Sequence, residues 1–535
     1  MMDKVLERLK SVVAVKKVFA RINAAQITLV IVLLLGVFAR VYMFGSVPGD
    51  INQDEAFAGY NAYTLLLHAT DSYGYRLPVY LTAWGSGMNA LESYLMIPFV
   101  AIFGLHVWVI RLPMLLVGLL SLVAVYYLVR RFSSECMALA ATLLLAISPW
   151  HVMLSRWALE SNLAPGFVLF GLFFFVKGLE KPKFLVASAV CYGLSLYAYA
   201  TIWIAVPFIV LMGVLYGLWT KSIHNNRYTW ISLGVLVVLA LPLMLFMLVN
   251  KDVINEIRLP FISIPKLVYF RASEISFQKI PENFMNLWNI LKNQSDGLPW
   301  NYIHNFGLFY PVTLAFFFVG LVENIWQAVR DVRARKLGLS VFMLAWLLAA
   351  FAIGVLISVN VNRVNLIFIP MIVMAAQGIV LAFSYIHPKM IYVPLVAYLL
   401  SFANFERSYF TTYKDQIASN FCEGVGEAMD FAQSLVKPGG KIYVDPNVSY
   451  PRVLFYGKVD LNSYLSTVRY INFPSAFLYV HEFDRYVFTF DVDRIDGHAI
   501  YLLENKDSRL SQFEQQGFSV RNFGKYIVAY PAKLL

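Results

Sequence analysis

Long apolar runs separated by short polar breaks occupy most of the chain. They lie near 24–44, 106–129, 136–150, 162–179, 184–200, 202–220, 230–249, 307–328, 338–358, 364–384 and 390–405. A helix of about 20 apolar residues spans a bilayer core, so the pattern predicts eleven crossings. A further stretch, 89–104, is apolar but shorter, carries Glu92 and Pro98, and ends at Gly104. Its length predicts an interfacial or re-entrant segment rather than a span.

The basic residues test that choice. With 89–104 kept on one side, the inner loops receive Arg130-Arg131, Lys177, Lys181, Lys183, Lys221, Arg227, Arg330, Arg333, Arg335, Lys336 and Lys389. The short outer loops then hold little more than Arg76, Arg156 and Arg363. Cytoplasmic loops carry the excess of Lys and Arg. The N-terminus is therefore expected inside, with six basic residues from Lys4 to Arg21 ahead of an uncleaved first helix. Parity then puts the C-terminal part outside the cell membrane.

From about 406 the texture changes to short alternating segments. The stretch 427–435 reads as a helix, Gly439-Gly440 as a turn, and 441–444, 499–503 and 526–530 as strands. The expected architecture is an α-helical polytopic membrane region, 1–405, followed by a small extracytoplasmic α/β domain, 406–535.

Composition supports this division. With 59% hydrophobic and 14% charged residues over 535 positions, a soluble chain could not hide its apolar surface. The net charge of +11 comes from basic blocks between apolar runs, which argues against a nucleic-acid partner. Three cysteines make no disulfide framework. An acid-x-acid pattern, Asp491-Val492-Asp493, is more simply a solvated surface than a metal site.

The chemistry-bearing residues gather in the outer segments. The first outer loop, 45–104, contains Asn52-Gln53-Asp54-Glu55. Asn52 is a helix cap, and the pattern to His68 predicts an amphipathic helix lying along the bilayer surface. Paired acids at a helix start complement the macrodipole; on the wet side of a membrane bundle they also suit proton transfer. The second outer loop places Arg156 four residues before Glu160, so a continuous helix would make them neighbours, either as an ion pair or as site residues. Arg40, Arg111 and Arg363 fall at one depth on the same side. Each is able to snorkel; together with Arg156 they form an expected patch for a lipid phosphate.

Several stretches resemble a known family. Asp54-Glu55 with Tyr60-Asn61-Ala62, Phe103-Gly104 before Arg111-Leu112-Pro113, Ser148-Pro149-Trp150 through Arg156 and Glu160, and Tyr192-Gly193-Leu194-Ser195 with Tyr197 occur in an order similar to that of the protein O-mannosyltransferase and aminoarabinose-transferase family. The chain resembles a bacterial member of this family of membrane glycosyltransferases (GT-C fold, family 39). The likeness covers roughly residues 30–220. It implies transfer of a sugar from a polyprenyl-phosphate donor to a protein, lipid or glycan acceptor, with inversion and with no metal or other cofactor. It implies that Asp54 is the base, that Glu55 and Glu160 are further catalytic acids, and that Arg111 matters to the site. Asn61, His151 and Tyr197 fall in the matched stretches and are expected to line the substrate. One departure stands out: many relatives carry a Lys-Pro-Pro-Leu-like stretch where this chain has Gly87-Met88-Asn89-Ala90-Leu91. Arginines taking over the phosphate, or a different donor sugar, would account for it. The competing readings are a transporter or lipid-linked glycan flippase, in which buried charges mark a pathway, and a membrane scaffold presenting the outer domain.

Overall fold

The computed structural model describes residues 24–270, 275–386, 390, 392–489, 495–506 and 510–534. The basic N-terminal stretch, Lys389 and Asp491-Val492-Asp493 lie outside them. Every apolar run carries a helix. Eight helices among the described residues are long and apolar enough to cross a membrane: Ala24–Val41, Val107–Phe132, Glu160–Glu180, Ile202–Trp219, Arg227–Asn250, Val312–Arg333, Leu339–Leu356 and Asn365–Ser384. The other three runs give shorter helices, Glu135–Ile147, Phe184–Ser195 and Tyr392–Ser408. Glu135–Ile147 stops because Ser148-Pro149 starts a separate helix, Pro149–Leu154. The stretch 89–104 holds a helix of 13 residues, Leu91–Phe103, too short to span a bilayer.

Side-chain patterning separates lipid-facing from packed surfaces. On Ala24–Val41 the exposed residues Ile27, Val30, Ile31, Leu34 and Phe38 make one stripe, while Val32, Gly36, Ala39 and Arg40 are buried on the other. Where helices meet, small residues let backbones approach. A Cβ on Gly320 would fall 1.8 Å from the Met374 carbonyl oxygen, and one on Gly378 would fall 2.0 Å from that of Phe316. Helices Val312–Arg333 and Phe368–Ile386 therefore pack at backbone contact.

The helix Gln53–His68 departs from its expected placement. Its residues from Glu55 to Ala62 are all buried, so no polar face lies open on a bilayer surface. It is held between Leu91–Phe103 and a C-terminal helix, Tyr450–Gly457. The apolar positions that read as a lipid-facing stripe instead meet protein on both sides.

Helix Tyr392–Ser408 runs through a π-helical turn, Tyr409–Tyr413, and the short Lys414–Ile417 helix into the C-terminal domain. That domain is built on a mixed seven-stranded sheet. The strand order is Phe518–Phe523, Tyr526–Pro531, Ile500–Glu504, Ile442–Val444, Tyr486–Val487, Val480–Phe483, Arg469–Tyr470. Ile442–Val444 pairs in parallel with both neighbours; the other pairings are antiparallel. The expected helix and three strands are present, and Tyr450–Gly457, whose Pro451 masks its start, is additional.

Candidate active site

The site is organised around the start of helix Gln53–His68. Asn52 accepts a hydrogen bond from the Asp54 amide at 3.0 Å, and the Glu55 carboxylate returns one from the Asn52 amide at 3.0 Å, a capping box. Glu55 is fully buried and fully used. Its Oε1 accepts from Arg111 Nε and the Ala158 amide, both at 2.7 Å, and its Oε2 from Arg111 Nη2 at 2.8 Å. Arg111 also donates to the Pro48 and Asp50 carbonyls at 2.8 and 2.7 Å. The forked geometry suits a planar guanidinium and fixes the turn that delivers Asp54.

Asp54 stands in a different setting one residue earlier. Trp84 Nε1 donates to its Oδ1 at 3.2 Å. Among the described residues Oδ2 has no partner, and the side chain is half-buried. Burial raises its pKa above the ordinary aspartate value; the Trp84 hydrogen bond and the charge of Arg452 oppose that rise. Such a carboxylate is a serviceable proton acceptor.

Trp84 is positioned by a tight turn. Its φ is +60° and that of Gly85 is +98°, and a Cβ on Gly85 would sit 2.4 Å from the Ser475 carbonyl oxygen. Only glycine fits. The Leu478 amide donates to the Trp84 carbonyl at 2.8 Å, so the C-terminal domain holds the residue that orients Asp54.

Glu160, at the start of Glu160–Glu180, accepts from both the amide and the side chain of Asn89, the latter at 3.0 Å. Asn89 belongs to the stretch in which relatives carry the lysine. Glu92, buried one turn further on, lies within electrostatic reach of Glu160, Glu55 and Asp54. Glu92 is thus the carboxyl group within reach of the other three. Among the described residues no three His, Cys, Asp or Glu side chains are arranged to hold a metal.

The expected arginine patch is rearranged. Arg40, Arg111 and Arg156 are fully buried and spend most of their donors on backbone carbonyls, Glu55 and His151. Arg156 caps the end of the first span through the Ala39, Met43 and Val47 carbonyls at 3.0–3.2 Å and lies over the Tyr409 and Phe410 rings. Helical structure is interrupted between Leu154 and Glu160, so Arg156 and Glu160 are not one turn apart and take different partners, backbone carbonyls for Arg156 and Asn89 for Glu160. Arg40 donates to the Gly36, Ala146 and Leu145 carbonyls and to His151 Nδ1 at 2.6 Å. Desolvating a guanidinium calls for such partners; only Arg40 Nε, itself buried, lacks one, and the three side chains are enclosed by protein. Arg363, partly exposed, donates to the Ser358 carbonyl at 3.0 Å.

The expected substrate-lining residues are committed elsewhere too. Asn61 ties Phe57 to Ser72 through bonds of 2.9 Å, His151 is spent on Arg40, and the Tyr197 hydroxyl donates to the Leu239 carbonyl at 2.7 Å. A cavity of about 10 Å³, room for a single water, lies among Trp150, Trp157, Trp300 and Asn365, away from Asp54. Residues that no sequence signal singled out, Trp84, Asn89 and Arg452, touch or charge the acidic cluster directly. Only the departure at 87–91 pointed to one of them.

Comparison with known proteins places the fold. The sequence profile of the dolichyl-phosphate-mannose-protein mannosyltransferases matches residues 90–246. The crystal structure of ArnT from Cupriavidus metallidurans in the apo state superposes with a TM-score of 0.54 at 16% identity, covering 95% of this chain and 98% of that one. The same protein bound to undecaprenyl phosphate gives 0.55 at 15% identity with the same coverage. No curated protein sequence matches the chain. The chain is a multi-pass membrane protein with the GT-C fold of membrane glycosyltransferases.

Proposed function

We propose that this protein is an inverting glycosyltransferase that moves a sugar from a polyprenyl-phosphate carrier to an acceptor hydroxyl on the extracytoplasmic side. The observation that carries the reading is Asp54, a half-buried carboxylate with one oxygen oriented by Trp84 and the other free among the described residues. The acceptor hydroxyl gives its proton to Asp54 Oδ2 as its oxygen attacks the anomeric carbon. The bond from that carbon to the phosphate oxygen breaks, and the phosphate leaves with the electron pair. The charge growing on the phosphate calls for cationic donors; Arg363, partly exposed, and Arg452, near the Asp54 carboxylate, are the arginines placed for that task. Glu55 and Arg111 position Asp54, and Glu160 with Glu92 completes the acidic wall.

The mannosyltransferase profile over 90–246 and the undecaprenyl phosphate held by ArnT support a lipid-phosphate donor. The basic loops support a cytoplasmic N-terminus and an extracytoplasmic site. The test is transfer of isotope-labelled sugar from membrane lipid to acceptor by the purified protein. Asp54→Asn is expected to lower turnover by about a thousandfold or more while the protein stays folded. Wild-type turnover in Asp54→Asn would remove Asp54 from the role. Movement of the lipid across the bilayer without a new glycosidic bond would favour the flippase.

A further inference from the structure

We infer that the first turn of the C-terminal helix Tyr450–Gly457 forms one wall of the donor site, with Arg452 binding the phosphate and Tyr450 the sugar of a polyprenyl glycosyl phosphate. This inference rests on the glycosyl-transfer reading above.

Arg452 is nine-tenths buried, yet its donors are not all used. Nε donates to the Ile51 carbonyl at 2.9 Å, three residues ahead of Asp54. Nη1 donates to the Val448 carbonyl and Ser449 Oγ, each at 2.9 Å. Nη2 has no partner among the described residues and is not sealed from solvent. The guanidinium is thus locked on one edge and open on the other, beside the Asp54 carboxylate whose ionisation its charge favours. Arg40, Arg111 and Arg156 offer nothing comparable: carbonyl groups, Glu55 and His151 take their donors, and the one unpartnered nitrogen among them, Arg40 Nε, is sealed in the interior. A phosphate replaces lost hydration with the paired donors that Arg presents.

Tyr450 supplies an independent observation. Its ring packs edge-on against Trp84 at 5.3 Å and Phe57 at 6.0 Å between centroids, directly over the Asp54 turn. Its hydroxyl is buried and faces that of Tyr73, and neither hydroxyl makes a hydrogen bond of good geometry with a described residue. Thr82 Oγ1, Asn89 Oδ1 and Glu92 Oε1 on the first loop and its packed helix are likewise buried and unpartnered. Buried polar atoms rarely go unpaired, and these orphan hydroxyl, amide and carboxyl oxygens, with Glu92 within electrostatic reach of the base and Thr82 and Asn89 on either side of the Trp84 turn in sequence, match a sugar, which brings donors and acceptors of its own.

The experiment uses the full chain in detergent, with undecaprenyl phosphate as the binding probe and labelled donor lipid for transfer. Tyr450→Phe removes only an unpartnered hydroxyl, so its melting temperature is expected to stay at or above that of wild type. Its kcat/KM for the donor is expected to fall about tenfold. Arg452→Gln is expected to weaken undecaprenyl phosphate binding at least about tenfold, and Arg452→Lys to recover part of it. Should Arg452→Gln fail to fold, Arg452→Lys and Tyr450→Phe decide. Wild-type binding and transfer in both of those variants would overturn the inference while leaving the transferase reading intact. A wild-type protein that neither binds the lipid phosphate nor transfers sugar would overturn both.

Discussion

Asp54 and Glu55 share a peptide bond and almost nothing else. Glu55 points into the protein, where Arg111, the Ala158 amide and the Asn52 amide consume both its oxygens. Asp54 points out of the cap toward Trp84 and keeps one oxygen open. A helix rotates successive side chains by about 100°, so adjacent acids at its start meet different environments. Replacing Arg111 by Met would strand a buried carboxylate, and a loss of about 3–5 kcal/mol is expected from thermal unfolding in detergent. The double variant Arg111→Met with Glu55→Met should regain much of that loss. The pH profile carries a second expectation. As base, Asp54 must be ionised, and burial places its pKa above the ordinary aspartate value. Transfer should therefore fall on the acid side through that raised pKa. Trp84→Phe deletes a donor to the carboxylate, raising the pKa further, so the acid limb of kcat/KM should move to higher pH. An unmoved limb would mean that another group titrates.

Among the elements, the turn at 84–87 and the helix Gln53–His68 do most to define the site. The turn depends on Gly85, whose φ of +98° and 2.4 Å clearance to Ser475 exclude a side chain. Gly85→Ala is expected to lift the turn off residues 475–478, speed amide exchange at 82–87 and reduce transfer, with little change in the membrane helices. The helix itself was half legible. Asn52 and the acids announced its start, since capping is a local matter of a side chain reaching its own backbone. Its surroundings were not legible, because a moderately apolar helix looks the same whether lipid or protein covers it. The arginines failed in the same way. Depth groups Arg40, Arg111 and Arg363, and sidedness adds Arg156, but neither says where a guanidinium's donors go. That is settled by carbonyl groups at the ends of other helices.

At the scale of the whole molecule, the C-terminal domain closes over the first loop and is bonded to it at several points. Asp50 accepts from the Gly424 and Gly426 amides at 3.0 and 3.1 Å and from the Tyr456 hydroxyl. The Tyr60 hydroxyl donates to the Val459 carbonyl at 2.8 Å, and Arg452 holds Ile51. Gly59 lies at another close approach, where a Cβ would meet the Phe455 ring at 2.8 Å. Gly59→Val is expected to wedge the two apart at about 1–3 kcal/mol. Limited proteolysis should then cut within 409–425 faster than in wild type, and transfer should drop even though every residue of the acidic cluster is intact.

By itself the sequence determined the class of molecule, the helices that fill the membrane region, and the acid pair that starts the first-loop helix. Those features rest on hydropathy run length, on the clustering of Lys and Arg, and on capping, all of which act over a few residues. Only the tertiary structure decided that Glu55 is locked while Asp54 is open, that three arginines serve the backbone, and that Tyr450 and Arg452 stand beside Asp54. Those outcomes depend on groups hundreds of positions apart competing for the same few hydrogen bonds, and such competition leaves no local mark in the chain.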